Sequence, residues 1–519
     1  MARASATFST EVGRSLRAAG RASPASVNKE APAASVSLAP YAGGSASLGA
    51  RSLVLHGEGS ASRYAAALLS ALGVQVRAEG GPADMHPAIA WASSGLMWLT
   101  GAAHAPGRML PAAVAACANG VLQAIEAHGV RLAPAWRQGA DLLVQRAALL
   151  GLRRQGQIAA GGSCRLLPTA DGMLAVNLAR SEDWALLPAW LEGCAVSDWD
   201  SLATALQSQT VDAVLERARL IGLPVAAADF PAPDFAHLAP PWCRIRRHGA
   251  PANAARAARA PRVLDLSSLW AGPLCGQLLH QLGAQVIKVE STHRADGARA
   301  GNAAFFNLLN AGKHCVAVDF SSAAGIAHLR RLIRWADIVI DASRPRALRQ
   351  LGIDADELVA AQPGLSWISI TGYGRDEPAA NWVAFGDDAG VAGGLSALLA
   401  RSGGEHAFCG DAIADPLTGL HAALAAWSTH LSGGGCVVAL AMRDVVAHCA
   451  AWERPALSAR HGTAENSELD TALRARAERW HAQALRAGLA DQRPMMPAAA
   501  PPARPHGADN AALDALLAC

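Results

Sequence analysis

The fold class is decided by the stretch Val263-Leu-Asp-Leu-Ser-Ser-Leu-Trp-Ala-Gly-Pro273 and by Gly283-Ala-Gln-Val-Ile-Lys-Val-Glu290, which follows it closely. Each stretch contains a short apolar run, and the residues between the two runs have helical periodicity. The pattern predicts strand, tight turn, helix and strand in succession. This is the repeating unit of a doubly wound parallel sheet.

The same alternation continues downstream and predicts an α/β protein with a Rossmann-like open parallel sheet. No G-x-G-x-x-G sequence follows the first strand, so the usual dinucleotide fingerprint is missing. Strands are predicted at 262–266, 285–290, 315–319, 337–341 and 367–371, and helices at 273–282, 322–335 and near 354–361.

The totals exclude several classes of protein. With 519 residues, 51% hydrophobic and 17% charged, the chain is expected to fold as two or three globular domains. A net charge of +3 without basic and aromatic clusters argues against a nucleic-acid partner, and no apolar run is long enough to cross a membrane. Ten cysteines without a C-x-x-C pair predict a cytoplasmic protein without disulfides or a metal site.

Changes in composition divide the chain into six predicted segments. The first is rich in Ala, Ser, Gly and Arg, which suggests a disordered tail more simply than a transit peptide. The segments are a low-complexity tail at 1–50, a degenerate Rossmann-like half at 51–150, a small α+β domain at 151–235, a linker at 236–260, an intact Rossmann-like domain at 261–450, and a helical and Pro/Ala-rich segment at 451–519.

A partial internal duplication is predicted from an overlay of the two halves with an offset of 210 residues. It places Leu53-Val54-Leu55 on Val263-Leu264-Asp265 without a gap. Farther along, the run beginning at Ala115 falls on the run beginning at Ala414, and the early half skips the equivalent of about 291–380. Chance similarity between Ala- and Leu-rich helices is the alternative.

Residues 160–230 follow a different pattern. Apolar alternation on both sides of Asp171-Gly172 predicts a β-hairpin. A short helix is expected after it, at Glu182-Asp-Trp. These elements define the core of the small α+β domain.

Four motifs together resemble the class III coenzyme A transferases, the formyl-CoA and carnitine-CoA transferase family also called CaiB/BaiF. They are Val263 to Pro273, Asn310-Ala-Gly-Lys-His-Cys-Val-Ala-Val-Asp319, Ile370-Thr-Gly-Tyr-Gly374 and Gly410-Asp-Ala-Ile-Ala-Asp-Pro-Leu-Thr-Gly419. The resemblance implies the fold of that family and transfer of CoA between carboxylic acids. In the family the hairpin domain follows the catalytic helix, so its early position here suggests a fused or duplicated variant.

The resemblance implies that Asp415 is the nucleophile that takes the acyl group from coenzyme A. We expect the N-terminus of the following helix to keep its carboxylate ionised. The alternative is that Asp415 and Pro416 form an ordinary helix N-cap. Asp411 is the second candidate, with a turn as its alternative role.

The resemblance also implies a set of CoA-binding residues and a glycine lid. Three of these assignments have open alternatives: Lys313 as a solvated surface residue, Arg299 as an ion-pair partner of Asp296, and Gly161-Gly162 as a simple turn. The implied CoA-binding residues are Ser268, Trp270, Ala271, Gly272, Pro273, Arg299, Lys313, Ser343 and Arg349, and the implied lid is Gly161 and Gly162.

Two further functions remain open from the sequence. The related acyl-CoA racemases need a proton-shuttling His, which is absent from Phe385-Gly-Asp-Asp388. Trp270, which replaces a family Gln, is also consistent with a non-catalytic CoA-binding protein. We expect acyl-CoA and a carboxylic acid as substrates, no tightly bound cofactor, and a homodimer or an internal pseudo-dimer. The early half, with Ala116 at the position of Asp415, is expected to be chemically silent.

Overall fold

The computed structural model describes residues 52–228, 240–253, 256, 259–454 and 463–518. The predicted tail at 1–50 lies outside them. The strands are β1 Ser52–Glu58, β2 Gln75–Ala83, β3 Cys164–Pro168, β4 Met173–Asn177, β5 Val225–Ala227, β6 Arg244–Arg247, β7 Arg262–Asp265, β8 Gln285–Ser291, β9 His314–Val318, β10 Ile338–Asp341, β11 Ser366–Thr371 and β12 Cys436–Ala441.

Helices connect most of these strands. They are α1 Ser60–Ala71, α2 Pro87–Ser93, α3 Val114–Glu126, α4 Gly139–Leu142, α5 Gln145–Leu150, α6 Ser181–Ala185, α7 Leu187–Trp190, α8 Trp199–Leu206, α9 Val211–Ile221, α10 Ala271–Gln281, α11 Ala303–Asn310, α12 Ala323–Trp335, α13 Pro345–Gln350, α14 Ala355–Ala361, α15 Gly386–Ala392, α16 Leu395–Arg401, α17 Ala414–Leu431, α18 Met442–Ala451, α19 Thr463–Arg486 and α20 Leu513–Ala518.

The largest sheet has seven strands in the order β6-β12-β11-β10-β7-β8-β9. All neighbouring pairs are parallel except β12 and β6. The chain builds outward from β7 in one direction through β8 and β9, and then in the other direction through β10, β11 and β12. The order therefore reverses between β7 and β10, and a crevice opens there at the carboxyl ends of the strands.

The apolar pattern predicted the first five parallel strands of this sheet within one residue at each end. Their side chains are almost all buried, as in β10, where every residue is buried. Parallel strands covered by helices on both faces have such continuous apolar runs. The predicted α/β class with a mostly parallel sheet is confirmed.

The linker predicted at 236–260 is wrong for its central part, because β6 forms there and pairs with β12. Residues 229–239 lie outside the described part of the chain. Three of the four residues of β6 are Arg, so β6 lacks the apolar pattern by which the other strands of this sheet were recognised.

The early half contains a small parallel sheet of its own, formed by β1 and β2. Helices α1 and α3 pack beside it, and their side chains share one hydrophobic core with α10 and α17. Leu68 of the early half and Leu274 of the late half both belong to that core and are fully buried. The two halves therefore pack as one body.

The predicted hairpin is present: β3 and β4 pair antiparallel across Asp171 and Gly172, and β5 adds a third strand. Helices α7, α8 and α9 cover it with a separate apolar core that includes Trp190. The small domain is tied to the rest by the amide of Asn177, at the end of β4, which donates to Asp388 on α15.

Candidate functional site

Asp415 lies in the first turn of α17, at the carboxyl-end edge of the seven-stranded sheet. The helix begins at Ala414, its N-cap residue is Ile413, and no side chain caps it. The alternative interpretation of Asp415 as an N-cap is therefore wrong. Its carboxylate is free to point toward α10 instead of back to its own helix.

Helices α17 and α10 approach closely beside this carboxylate. A Cβ at Gly419, one turn after Asp415, would lie 2.6 Å from the carbonyl oxygen of Ala271, so only glycine permits this spacing. As a result the backbone N–H of Ala271, the first residue of α10, lies close enough to the Asp415 carboxylate to favour its ionised form.

The start of α15 covers the other side of Asp415. A side chain at Gly386 would occupy the position of the Asp415 carboxylate and of the Ala412 carbonyl. Asp387 accepts a hydrogen bond of 2.9 Å from the Ala412 N–H. Ala412 itself has φ +43°, a left-handed conformation that is strained for a residue with a Cβ.

A cation from the early half reaches this cluster. Arg146 on α5 forms a two-pronged ion pair with Asp411, with Nε 2.7 Å from Oδ2. Its guanidinium also lies 5.3 Å from the centre of the Trp270 ring. The Asp411 side chain is completely buried, so the pair compensates a charge that would otherwise be costly to bury.

Three carboxyl groups of this region, those of Asp387, Asp388 and Asp415, hold protons more tightly than usual. Burial raises the pKa of Asp415 to about 7, and the neighbouring carboxylates of Asp387 and Asp411 add to the effect against the opposing charge of Arg146. Burial and Asp411 raise the pKa of Asp387 to about 6. Burial also raises the pKa of Asp388 to about 7. The expectation that the helix N-terminus keeps Asp415 ionised is therefore wrong near and below neutral pH.

Two buried lysines hold the loop between β7 and α10. Lys288 donates to the Ser267 carbonyl at 2.9 Å and pairs with Asp296. Lys313 donates to Asp265 at 2.9 Å and to the Pro273 carbonyl at 2.8 Å. The loop they fix contains Leu269, whose φ is +67°.

This geometry corrects the predicted role of Lys313. Its side chain is 1% exposed, and its ammonium is bonded to Asp265, Pro273 and Asn310. It neither extends into solvent nor projects toward a diphosphate at the surface. Lys313 contributes to the site by holding the end of the loop that delivers the Ala271 N–H.

The other implied CoA-binding residues divide into two groups. Ser268 is exposed in the loop after β7, and Ser343 follows β10, where its N–H and hydroxyl donate to Asp341. By contrast, Arg299 forms an ion pair with Glu290, not with the expected alternative Asp296, and Arg349 pairs with Asp354 at 3.0 Å. Both arginines therefore already have carboxylate partners.

The remaining implied residues lie around Asp415. Gly272 and Pro273 are buried in the first turn of α10, and Trp270 packs edge-on against Phe305 with ring centres 5.1 Å apart. Gly161 is exposed, and a Cβ there would lie 3.2 Å from Arg146 and 3.7 Å from Asp411. Gly162 follows with φ +84°.

Sequence reasoning missed Arg146 and Gly386, and it treated Asp387 and Asp388 only as the place of a missing His. The Gly-Asp-Asp run was visible, but nothing local to Arg146 distinguishes it from the many other arginines of the chain.

The described residues contain neither a candidate membrane span nor a candidate metal site. Within those ranges, no helix is both long and apolar enough for a membrane span. In the same part of the chain, no group of three or more His, Cys, Asp or Glu side chains is arranged to hold a metal ion.

Comparisons place these elements among known proteins. Residues 260–491 match the family model described as CoA-transferase family III. A succinate–glutarate CoA-transferase of Agrobacterium fabrum is 32% identical over 201 residues, which cover 36% of this chain and 50% of that protein. A formyl-CoA:oxalate CoA-transferase of Escherichia coli is 29% identical over 196 residues, which cover 36% of this chain and 47% of that protein.

Among solved structures, a CaiB/BaiF family protein of Brucella suis is 32% identical, with a TM-score of 0.34. The matched part covers 36% of this chain and 53% of that one. The chain spans about half the length of the curated relatives it matches.

Proposed function

We propose that this protein moves coenzyme A between carboxylic acids through a covalent intermediate on Asp415, and the match of residues 260–491 to the model of CoA-transferase family III supports this. One observation carries the proposal. The Asp415 carboxylate is half-buried at the carboxyl-end edge of the sheet, it is not used as a helix cap, and it lies beside the Ala271 N–H at the start of α10.

The reaction consists of four balanced acyl transfers. The Asp415 carboxylate attacks the thioester carbonyl, the C–S bond breaks, and CoA leaves as a thiolate with the bonding electrons. The thiolate then attacks the aspartyl carbonyl of the mixed anhydride and releases the donor acid. An acceptor carboxylate attacks the aspartyl thioester, and the released thiolate attacks the acceptor carbonyl of the new anhydride. These last two steps form the product and restore Asp415.

The Ala271 N–H assists these steps as a fixed hydrogen-bond donor. It already lies beside the carboxylate and favours its ionised form, and it is in position when an oxygen of the aspartyl group gains negative charge. Lys288 and Lys313 hold the loop that carries this donor, so it does not have to reorganise during the reaction.

Coenzyme A would lie in the crevice where the strand order reverses. With β7 counted as the first strand, the parallel strands follow the order 3-2-1-4-5-6 of Rossmann-like sheets. The loops after β7 and β10 meet there. Burial lowers the pKa of Arg344, and the nearby charges of Arg346 and Arg180 lower it further, so positive charges gather at this crevice. Such a group suits phosphates.

We further propose that the early half is a degenerate duplicate, which makes the chain an internal pseudo-dimer. With the 210-residue offset, β1 and β2 pair in the register of β7 and β8: Leu53 faces Val76, as Val263 faces Val286. A Cβ at Gly120 would lie 2.5 Å from the carbonyl oxygen of Ala61, which is equivalent to Ala271. Gly120 thus repeats the close approach seen at Gly419.

The duplicate lacks the means to react. Ala116 replaces the nucleophile. The N-terminus of α1 is already occupied by a carboxylate of the protein itself, that of Asp84. The carboxylate of Asp84 accepts from the Ser62 N–H at 2.7 Å and from the Gln123 amide at 3.0 Å. An anionic group of a substrate would compete with this carboxylate for the same donors.

The test is chemical trapping of the intermediate. The protein is incubated with a panel of acyl-CoAs, activated carboxylates are trapped with hydroxylamine, and labelled peptides are mapped by mass spectrometry. We expect one label, at Asp415, and none in Asp415→Asn. A comparable label within residues 51–150 would contradict a silent duplicate.

The same experiment separates the alternatives. An acyl-CoA racemase would exchange the proton next to the thioester carbonyl without labelling Asp415. A non-catalytic protein would bind CoA and give neither label nor exchange. Either result would refute the proposed CoA transfer.

A further inference from the structure

A second cavity lies at the far end of α10 from Asp415. Its volume is about 560 Å³, within the range of small-molecule binding sites. Residues of the early half, the last turn of α10 and the C-terminal segment line it together. Ala271 begins α10 at the candidate active site, whereas His280 lines the cavity nine residues later, which corresponds to roughly 14 Å along the helix axis.

Two polar side chains of the cavity have no partner. The carboxylate of Asp141 forms no hydrogen bond or ion pair with any residue in the described ranges, and partial burial raises its pKa. Gln145 is 7% exposed, and its amide likewise has no hydrogen-bond partner in that part of the chain. Asp141 is half-buried, and both side chains line the cavity, so their polar groups are available to a ligand bound there.

The rest of the wall is mainly apolar. Trp136 forms one side, and the extended segment after α19 forms another, with the thioethers of Met495 and Met496. Both methionines are unusually exposed, at 68% and 61%. An indole and flexible thioethers suit an apolar body of adaptable shape, and they also interact favourably with organic cations.

The charge of the cavity distinguishes it from the candidate active site. Neither Arg nor Lys occurs among the described residues that line it, and Asp141 is the only acidic one. An anionic ligand, such as an acyl-CoA or a free carboxylate, would be brought close to an uncompensated carboxylate. A cation would neutralise it.

We propose that this cavity binds an organic ammonium ion with an apolar body. The ammonium group pairs with Asp141, the Gln145 amide accepts or donates a further hydrogen bond, and the apolar body packs against Trp136 and the two methionines. The inference goes beyond the proposed CoA transfer and does not depend on it, because none of these groups contacts Asp415.

The test compares three probes of similar shape and different charge. Phenethylammonium, 2-phenylethanol and 3-phenylpropanoate are titrated into the full-length protein by isothermal titration calorimetry near pH 7.5. We expect the cation to bind at least about tenfold more tightly than the alcohol, and the anion not to bind. Equal affinity for the three probes, or no heat with about 10 mM cation, overturns the proposal.

Matched variants then locate the site. Asp141→Asn keeps the shape of the side chain and should weaken cation binding at least about tenfold while leaving binding of the alcohol unchanged. Asp200→Asn makes the same change in charge at an exposed position of α8 outside the cavity, and it should change neither. Cation binding that is unaffected by Asp141→Asn would refute the assignment, whatever the affinity.

Discussion

Arg146 and Asp411 form a two-pronged ion pair across 265 positions of sequence, and this pair joins the early half to the loop that precedes Asp415. Asp411 is completely buried, whereas the Arg146 side chain is 27% exposed. Among the described residues, Arg146 is the only cation seen beside Asp387, Asp411 and Asp415. It lies outside the region that matches the family model.

We expect Arg146→Gln to destabilise the protein by about 3 to 5 kcal/mol, because it leaves Asp411 buried without its partner. The positive charge of Arg146 also lowers the pKa of Asp415, so its loss should shift the pH–rate profile of CoA transfer upward. Urea unfolding and kcat/KM as a function of pH measure the two effects.

The double variant Arg146→Gln/Asp411→Asn is the control for Arg146→Gln. It removes both charges and should recover most of the lost stability. A single variant as stable as the wild type would contradict the assigned role of the pair.

Stability and activity should depend on pH in opposite directions. Asp387, Asp388 and Asp415 have folded-state pKa values of about 6, 7 and 7, above the value of about 4 in an unfolded chain. The folded state therefore binds more protons than the unfolded state between about pH 4 and pH 7, and the free energy of unfolding falls as pH rises through this range. Activity should rise instead, because the nucleophile must be ionised.

Asp388→Asn tests the stability part of this prediction. Asn resembles the protonated acid, so the variant should be more stable than wild type at pH 8 by on the order of 2 kcal/mol and equally stable near pH 4. Thermal unfolding over that pH range gives the comparison. Parallel stability curves for the two proteins would show that Asp388 does not titrate as described.

Lys313→Met should destabilise the protein by about 3 to 5 kcal/mol, because Asp265 would remain buried without a cation. Arg334→Met removes a charge from an exposed position of α12 and should change stability by no more than about 0.5 kcal/mol. Urea denaturation of both variants is the measurement. A loss of stability in Lys313→Met as small as that in Arg334→Met would contradict the buried ion pair and support the alternative that Lys313 is a solvated surface residue.

Gly120→Ala and Gly419→Ala test the proposed duplication as a pair. In each case the added Cβ would press on a backbone carbonyl, that of Ala61 or of Ala271, so both variants should lose roughly 2 to 4 kcal/mol of stability. Only Gly419→Ala should impair CoA transfer, because it moves the Ala271 N–H away from Asp415. Equal loss of activity per folded molecule in both variants would contradict a silent early half.

The sequence predicted what local patterns encode. Buried strands such as β10 consist of apolar residues that only a covered sheet accommodates, and the run from Gly410 to Gly419 marked the start of α17. The raised pKa of Asp415 was not predictable, because it results from burial and from the charge of Asp387, only partly opposed by Arg146, and both residues are distant in sequence. The burial of Lys313 was missed for the same reason, since its partner Asp265 belongs to another strand.

The edge strand β6 has a consequence for how the chain reaches its fold. Its partner β12 follows about 190 residues later in the chain. During synthesis, β6 therefore leaves the ribosome long before it can form hydrogen bonds with β12. The positive charges of its three arginines disfavour pairing of the unpaired strand with another nascent chain. After β12 arrives, Arg244 and Arg246 still flank the outer rim, where both contact Asp376. The same charges that protect the strand during synthesis thus guard the finished sheet against edge-to-edge aggregation.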